Sequence, residues 1–321
     1  MALALVDVHG TSAVAQGGGM TGKAASTTKP PRVSIGMPVY NGARHVAKSI
    51  ESLLAQTFTD FEIIIADNCS SDATGDICRD IAARDPRVRY VRHATNRGAV
   101  FNWNFVVEEA RGRYFKWASA NDYCAPTNLE RCVHTLDTEP GVVIAYGRTA
   151  FVDDDDQPLG EYPHDLEVLD ERPSVRFERL CRELRANNAQ SGLIRLDILR
   201  RTGIERTFPG GDMGLMSELA LYGGYRCLPE VLLYRRMGTQ SATKFLNADQ
   251  LRAFLNPQAR KHAFVVWQTH WDYVLSMLRA PLSLRERLAV TRYILRSAWW
   301  FRQSLWQEIT AVFVSRPVSA I

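Results

Sequence analysis

The chain has 321 residues, 46% of them hydrophobic, and a formal net charge of +4 from 39 basic and 35 acidic side chains. That length holds one large α/β domain, or a domain with an appendage, and the apolar share is enough to bury a core, which excludes a disordered or fibrous protein. The near balance of charge offers no concentrated basic face of the kind nucleic acid requires, so no nucleic-acid partner is expected.

Residues 1–30, with Gly17-Gly18-Gly19, Ser26-Thr27-Thr28 and Pro30-Pro31, have the composition of a flexible leader. From Arg32 the text becomes strand and helix in turn. An apolar run Val33–Met37 precedes Val46, Ile50, Leu53 and Leu54 at helical spacing, and a second run covers Phe61–Ala66. The pattern continues with a helix over Thr74–Ala83, a strand Val88–Val91, a helix Ala99–Ala110, a strand Tyr114–Ala118, a helix starting at Pro126 and a strand Val142–Tyr146. Such repeats predict a mostly parallel, Rossmann-like sheet flanked by helices, whose ligands lie beyond the carboxyl ends of its strands.

After Gly147 the alternation weakens. The run Asp153–Asp156, followed by Gln157-Pro158-Leu159-Gly160, reads as a solvated turn rather than a metal site. A helix over Ser174–Arg185, a βα-like stretch Leu193–Arg201, Gly210-Gly211-Asp212 ahead of a helical run Leu215–Tyr222, and a strand Val231–Tyr234 follow; the rest reads as helical. The expected division is a leader over 1–30, an α/β domain over 31–240 and a helical extension over 241–321. Six cysteines carry no Cys-x-x-Cys pair, so they read as buried thiols in a reducing compartment. With no signal-type leader and no run of about 18 apolar residues, the expectation is a cytoplasmic protein.

Three strand ends carry polar residues suited to chemistry. The first runs into Pro38-Val39-Tyr40-Asn41-Gly42, where Pro38 fixes the turn and Tyr40 offers a face for a planar base; an ordinary βα turn is the simpler reading. The second ends in Asp67-Asn68-Cys69-Ser70-Ser71-Asp72. A carboxylate there needs a donor such as the ring N–H of a base, while Ser71 or Asp72 suits a helix cap. The fourth ends in Ser119-Ala120-Asn121-Asp122, either a turn or a source of hard oxygen ligands for Mg²⁺ or Mn²⁺ beside a diphosphate. No GxGxxG follows the first strand, which argues against a dinucleotide oxidoreductase.

Taken together, Val33 to Thr74, with Ser52-Leu53-Leu54-Ala55-Gln56-Thr57 and Asp67–Asp72, resembles the opening of glycosyltransferase family 2 and its GT-A fold. Asn96-Arg97-Gly98, followed by Asn102 and Asn104, fits the same pattern, and the resemblance extends loosely over 32–240. It implies an inverting transfer from a nucleotide-diphosphate sugar to a hydroxyl of a glycan or lipid-linked acceptor. Pro38, Tyr40, Asn41, Asp67, Asn68, Ser70, Arg97, Gly98, Asn102, Asn121 and Arg235 would hold the donor, and Asn121 with Asp122 the divalent cation, Mn²⁺ or Mg²⁺. In place of the family's Asp-x-Asp-Asp stand Ser119-Ala120-Asn121-Asp122, which leaves Asp122 as the one acid. That departure keeps a second reading open, a non-catalytic member that holds nucleotide sugar or a partner.

An inverting transfer also needs a general base. Asp212 stands where the resemblance puts it, with a helix cap as the alternative, and Glu218 is a second candidate. Arg235 or Arg236 suits phosphate oxygens unless it is a surface residue, and His262 is a late metal ligand or a structural histidine. The C-terminal part carries Trp267, Trp271, Trp299, Trp300 and Trp306, with Arg285, Arg292 and Arg296 on one helical face. Such helices either lie on an anionic membrane, placing the protein at its inner face, or pack on the catalytic domain or a partner subunit.

Overall fold

A computed structural model describes residues 29–238, 248–258 and 264–314. His262 and residues 1–28 of the leader lie outside them. In chain order the elements are β1 (Val33–Val39), α1 (Val46–Leu54), β2 (Phe61–Asp67), α2 (Thr74–Arg84), β3 (Val88–Arg92), α3 (Ala99–Glu108), β4 (Tyr114–Trp117) and β5 (Tyr123–Cys124). Then come α4 (Asn128–Thr138), β6 (Val142–Val152), β7 (Pro158–Glu161), α5 (Pro173–Glu183), a 3-10 turn (Asn188–Ser191), β8 (Leu193–Arg195), α6 (Leu196–Leu199), α7 (Gly211–Ala220) and β9 (Gly224–Arg236). The chain closes with α8 (Ala248–Leu255), α9 (Val265–Arg279), α10 (Leu284–Trp300) and α11 (Arg302–Val314).

Among the described residues the strands form one sheet, in the order β3-β2-β1-β4-β8-β6-β9-β5, with β7 on β6. The neighbours β3, β2, β1 and β4 run parallel, as do β6 and β9, whereas β8 is antiparallel to both β4 and β6. The sheet is therefore mixed in its second half. Strand β2 is buried along its whole length, which explains its continuous apolar run.

Alternation sorts the core. Ile35, Met37, Ile63 and Ile65 face α1, α2 and α4, while Ile64, Phe115 and Trp117 pack with Val106 of α3 and Leu215 and Met216 of α7. Helix α3 lies so close to β1 that a Cβ on Gly36 would come within 2.6 Å of Val106. A third cluster, with Phe177, Leu221, Val290 and Tyr293, seats α9 and α10 on α5 and α7. All six cysteines are free thiols. Because β1, β2 and β4 run in one direction, the residues that follow them gather at one edge of the sheet.

Candidate active site

The loops after β1 and β2 are stitched together. Asn41 adopts a left-handed backbone, φ 50°, which asparagine tolerates. Its N–H donates to Ser70 Oγ at 3.0 Å and its Oδ1 accepts the Ser71 N–H at 2.8 Å. Gly42 N–H donates to Thr74 Oγ1 at 2.8 Å and Ala43 N–H to Asp72 Oδ2 at 3.1 Å. Asp72 also accepts the Thr74 N–H at the start of α2. Burial works against its charge, yet these bonds hold its carboxyl below the usual range. Tyr40, next to Pro38, is left 46% exposed above these loops.

The sequence suggested that Asp67 would receive a base, and the geometry corrects this. Its side chain is fully buried. Oδ1 accepts the Ser70 N–H at 2.8 Å, and Oδ2 accepts Tyr90 Oη–H at 2.7 Å and Arg92 Nη1–H at 2.9 Å. Asn102 is likewise internal, donating to Ala66 O at 2.7 Å and meeting His93 Nε2 at 3.1 Å. Asn68 donates to Asn96 Oδ1 at 2.9 Å and Gly98 O at 3.1 Å, and accepts from Arg97 N–H at 3.0 Å. Asp67, Asn68, Ser70 and Asn102 thus brace the loops from inside. The exposed Arg97 guanidinium lies 3.4 Å from the Phe101 ring centroid. Gly98, φ 89°, caps α3 where a Cβ would come within 2.7 Å of Leu255 O.

At the fourth strand end, Asn121 N–H donates to Ser119 Oγ at 3.1 Å, and Asp122 Oδ1 accepts the Arg236 N–H at 2.9 Å. Burial pushes the Asp122 carboxyl above the usual range, against the pull of Arg236 and Arg235. The pairing of β5 with β9 brings Arg235 and Arg236 here and stacks Tyr123 on Tyr234 at 4.8 Å. Arg236, itself buried, reaches Asn121 O at 3.2 Å, Asp153 O, and Asp156 Oδ1 at 2.5 Å. With Lys48 of α1 on Asp156 at 2.7 Å and Arg44, just before α1, on Asp154 at 3.4 Å, the acidic turn is ion-paired to the start of α1 and, through Arg236, to β9. It is not the solvated turn its composition suggested.

Among the described residues no group of three His, Cys, Asp or Glu side chains could hold a metal ion. The oxygens of Ser119, Asn121 and Asp122 are hard donors of the type Mg²⁺ or Mn²⁺ takes, but they bring one negative charge, and one Asp122 oxygen is already bound to Arg236. This donor set fits a cation that arrives with a diphosphate, which supplies the missing charge.

Asp212 enters near the start of α7, after Gly210 at φ 83°. The N-cap of that helix is Gly210, which has no side chain to cap it, and Asp212 stands in the first turn. Its Oδ2 accepts from Asn187 Nδ2 at 3.2 Å. Nearby sits Glu205, buried and bonded to Gln190, whose carboxyl is pushed up to about 8, first by burial and then by Asp212. Asn104 clamps the Glu205 backbone through bonds of 3.0 and 3.1 Å. Glu218, the second candidate base, is fully buried between Arg206 and Arg279, and accepts from Gly203 N–H at 3.1 Å. It is structural. Sequence reading missed Glu205, Asn187, Gln190 and the buried Lys116; the polar run Asn187-Asn188-Ala189-Gln190-Ser191 ahead of an apolar strand was the available signal. Arg235 donates to Asn188 Oδ1 at 2.6 Å.

The profile of the glycosyl transferase family 2 domain matches residues 34–196, more than half of the chain. The chain belongs to glycosyl transferase family 2. This family 2 glycosyltransferase is 26% identical over 209 residues to TuaG of Bacillus subtilis, named for teichuronic acid biosynthesis, a match covering 64% of this chain and 81% of TuaG. It is 30% identical over 131 residues to the chondroitin synthase of Escherichia coli, covering 41% of this chain and 19% of that much longer protein. Its fold is similar to S. aureus TarS 1-349 in complex with UDP, with TM-score 0.59 and 15% identity over 85% of this chain and 73% of TarS. The same TarS piece is also solved with UDP-GlcNAc, at TM-score 0.59 and 16% identity over 84% and 73%. The family match takes in the strand ends from Pro38 to Asp122 and the Asn187 turn of this glycosyltransferase, whereas Asp212 and Arg235 lie beyond it.

Proposed function

We propose that this glycosyltransferase moves a sugar, with inversion, from a nucleoside-diphosphate donor to a hydroxyl of a glycan or lipid-linked acceptor. What supports this is an open Tyr40 face after β1, the Ser119–Asp122 turn after β4 tied to β9 through Arg236, and the Asp212 carboxylate, linked through the Asn187-Asn188 turn to Arg235 of the same strand β9. Tyr40, Pro38 and Arg97 would meet base and ribose, on loops that Asn41, Asp67, Asn68, Ser70, Gly98 and Asn102 keep rigid. Asn121 and Asp122 would hold the divalent cation together with the diphosphate. When bound, that cation neutralises charge on the leaving diphosphate.

In the transfer, the acceptor oxygen bonds to the anomeric carbon as Asp212 takes its proton. The bond from that carbon to the diphosphate oxygen breaks, its electron pair leaving with the diphosphate, and Arg235 meets the developing charge. The cell-envelope setting rests on the name of TuaG, and UDP as the first nucleotide to try rests on what TarS was solved with. The catalytic domain is taken as 31–240, with 241–321 as an extension, in a cytoplasmic protein.

Calorimetric titration with UDP, GDP and dTDP, each with and without Mn²⁺, tests this. One nucleotide binding tightly, and more tightly with Mn²⁺, is expected, as is Mn²⁺ alone failing to bind. If no nucleotide binds, the donor reading is lost. Asp212→Asn is expected to keep nucleotide binding and lose about 10²–10⁴ in turnover, the usual share of a general base.

A further inference from the structure

The segment Asn187–Ser191 joins parts of the site that lie far apart in the chain. Asn187 Nδ2 donates to Asp212 Oδ2 at 3.2 Å and to Gln190 Oε1 at 3.1 Å, and Gln190 Nε2 donates to Glu205 Oε1. One residue on, Asn188 Oδ1 accepts from Arg235 at 2.6 Å, and at the end of the turn Ser191 O accepts from Lys116 Nζ. The turn is itself fixed: Tyr162 Oη accepts the Ala186 N–H at 3.1 Å, and strand β8, which follows directly, is paired on both sides. Asn187 Oδ1 is buried with no partner among the described residues. A buried acceptor without a donor costs stability, so the amide is better explained by what its N–H group holds.

We propose that Asn187 is the positioning residue of the transfer base. It ties one oxygen of Asp212 and leaves the other to take the acceptor's proton, while Gln190 holds the second carboxylate, Glu205, apart. This rests on the reading of Asp212 as the base. A neutral amide suits the task because it fixes the carboxylate without adding a charge beside it. The titratable neighbour of Asp212 is Glu205; Arg206, which faces Glu205, turns its guanidinium to Glu218 and Asp272, and Arg235 is held by Asn188.

The test uses the full chain with UDP-GlcNAc, UDP-glucose, GDP-mannose and dTDP-glucose, water as acceptor, and nucleotide release as the readout across pH. Asn187→Ala is expected to lower kcat roughly tenfold to a hundredfold while nucleotide affinity and KM stay within about twofold, since a displaced catalytic group costs rate rather than binding. Asn187→Asp sets two carboxylates at hydrogen-bond distance, where both cannot ionise. Its acid limb of kcat is expected to move up by about one pH unit or more, with activity returning on the alkaline side. A purely structural asparagine would not move that limb.

Asn187→Ala retaining kcat within about twofold, or Asn187→Asp losing activity with the limb unmoved, overturns the proposal while leaving Asp212 as base. Turnover surviving in Asp212→Asn, or no nucleotide release from any donor by the wild type, overturns the base reading, and this proposal with it. Unchanged calorimetric nucleotide binding by both Asn187 variants shows that they fold.

Discussion

At Glu205 a single side chain gives a pH signature. Its carboxyl titrates in the fold at about 8, against 4.5 in an unfolded chain, because burial and Asp212 both disfavour its charge. Between those values the folded protein keeps a proton that the unfolded chain has released. Stability from this group is therefore whole below the lower value, falls as pH rises, and levels off above the upper one. Glu205→Gln keeps the acceptor that Gln190 uses and removes the titration. Measured by urea unfolding, the variant is expected to match the wild type near pH 5 and to exceed it by roughly 3 kcal/mol near pH 7.5, at about 1.4 kcal/mol for each pH step crossed. A difference between the two proteins that does not change with pH would refute this. No local pattern marks Glu205, since its partners Gln190 and Asp212 become neighbours only through the fold. Asp67 shows the opposite case. Its place at a strand tip was legible, but the donors that saturate it, Tyr90 and Arg92, sit on another strand.

Between elements, buried charge decides how the C-terminal helices attach. Arg206, 7% exposed, bridges Glu218 of α7 and Asp272 of α9, and Arg279 adds a contact to Glu218 at 3.1 Å. Removing the shared cation leaves the buried Asp272 without its ion-pair partner and Glu218 with Arg279 alone. Arg206→Met is therefore expected to cost about 3–5 kcal/mol. It should also speed hydrogen exchange in α9 before the sheet, because α9 depends on this cluster. A loss under about 1 kcal/mol would show that the cluster does not hold α9. The first-half elements were legible because their apolar positions either run together, as in the fully buried β2, or recur at helical spacing, as in α1. The ends of β6 and β9 were not. Arg148 interrupts the apolar run of the one, and Pro229 and Glu230 that of the other, while register shifts let the two strands stay paired as far as Val152 and Arg236. Strand β5, only Tyr123–Cys124, is too short to carry a period, yet its pairing brings Asp122 to Arg236.

For the molecule as a whole, α10 presents two unlike faces. Glu286, Val290, Tyr293, Ile294 and Ser297 are buried, and Glu286 is engaged by Arg172 and by the Ser174 N–H at the start of α5. The opposite face shows Leu284, Leu288, Leu295 and Trp299, each more than half exposed, beside Arg285, Arg292 and Arg296, with no acid among them. Trp271 of α9 and Trp306 of α11 are exposed as well. Among the described residues no helix is long and apolar enough to cross a membrane. Apolar side chains flanked by arginine have the chemistry of a helix lying in an anionic lipid surface, where a lipid-linked acceptor would be presented. Arg296 also pairs with Glu178, so Arg285 and Arg292 are the better probes. Cosedimentation is expected with vesicles containing phosphatidylglycerol and not with phosphatidylcholine alone. Arg285→Gln with Arg292→Gln should weaken that binding roughly thirtyfold, at about 1 kcal/mol for each charge near the surface. Leu295→Ser should weaken it without changing its salt dependence. Failure to bind either vesicle, with a concentration-dependent dimer in sedimentation equilibrium, would instead assign this face to a second copy of the chain.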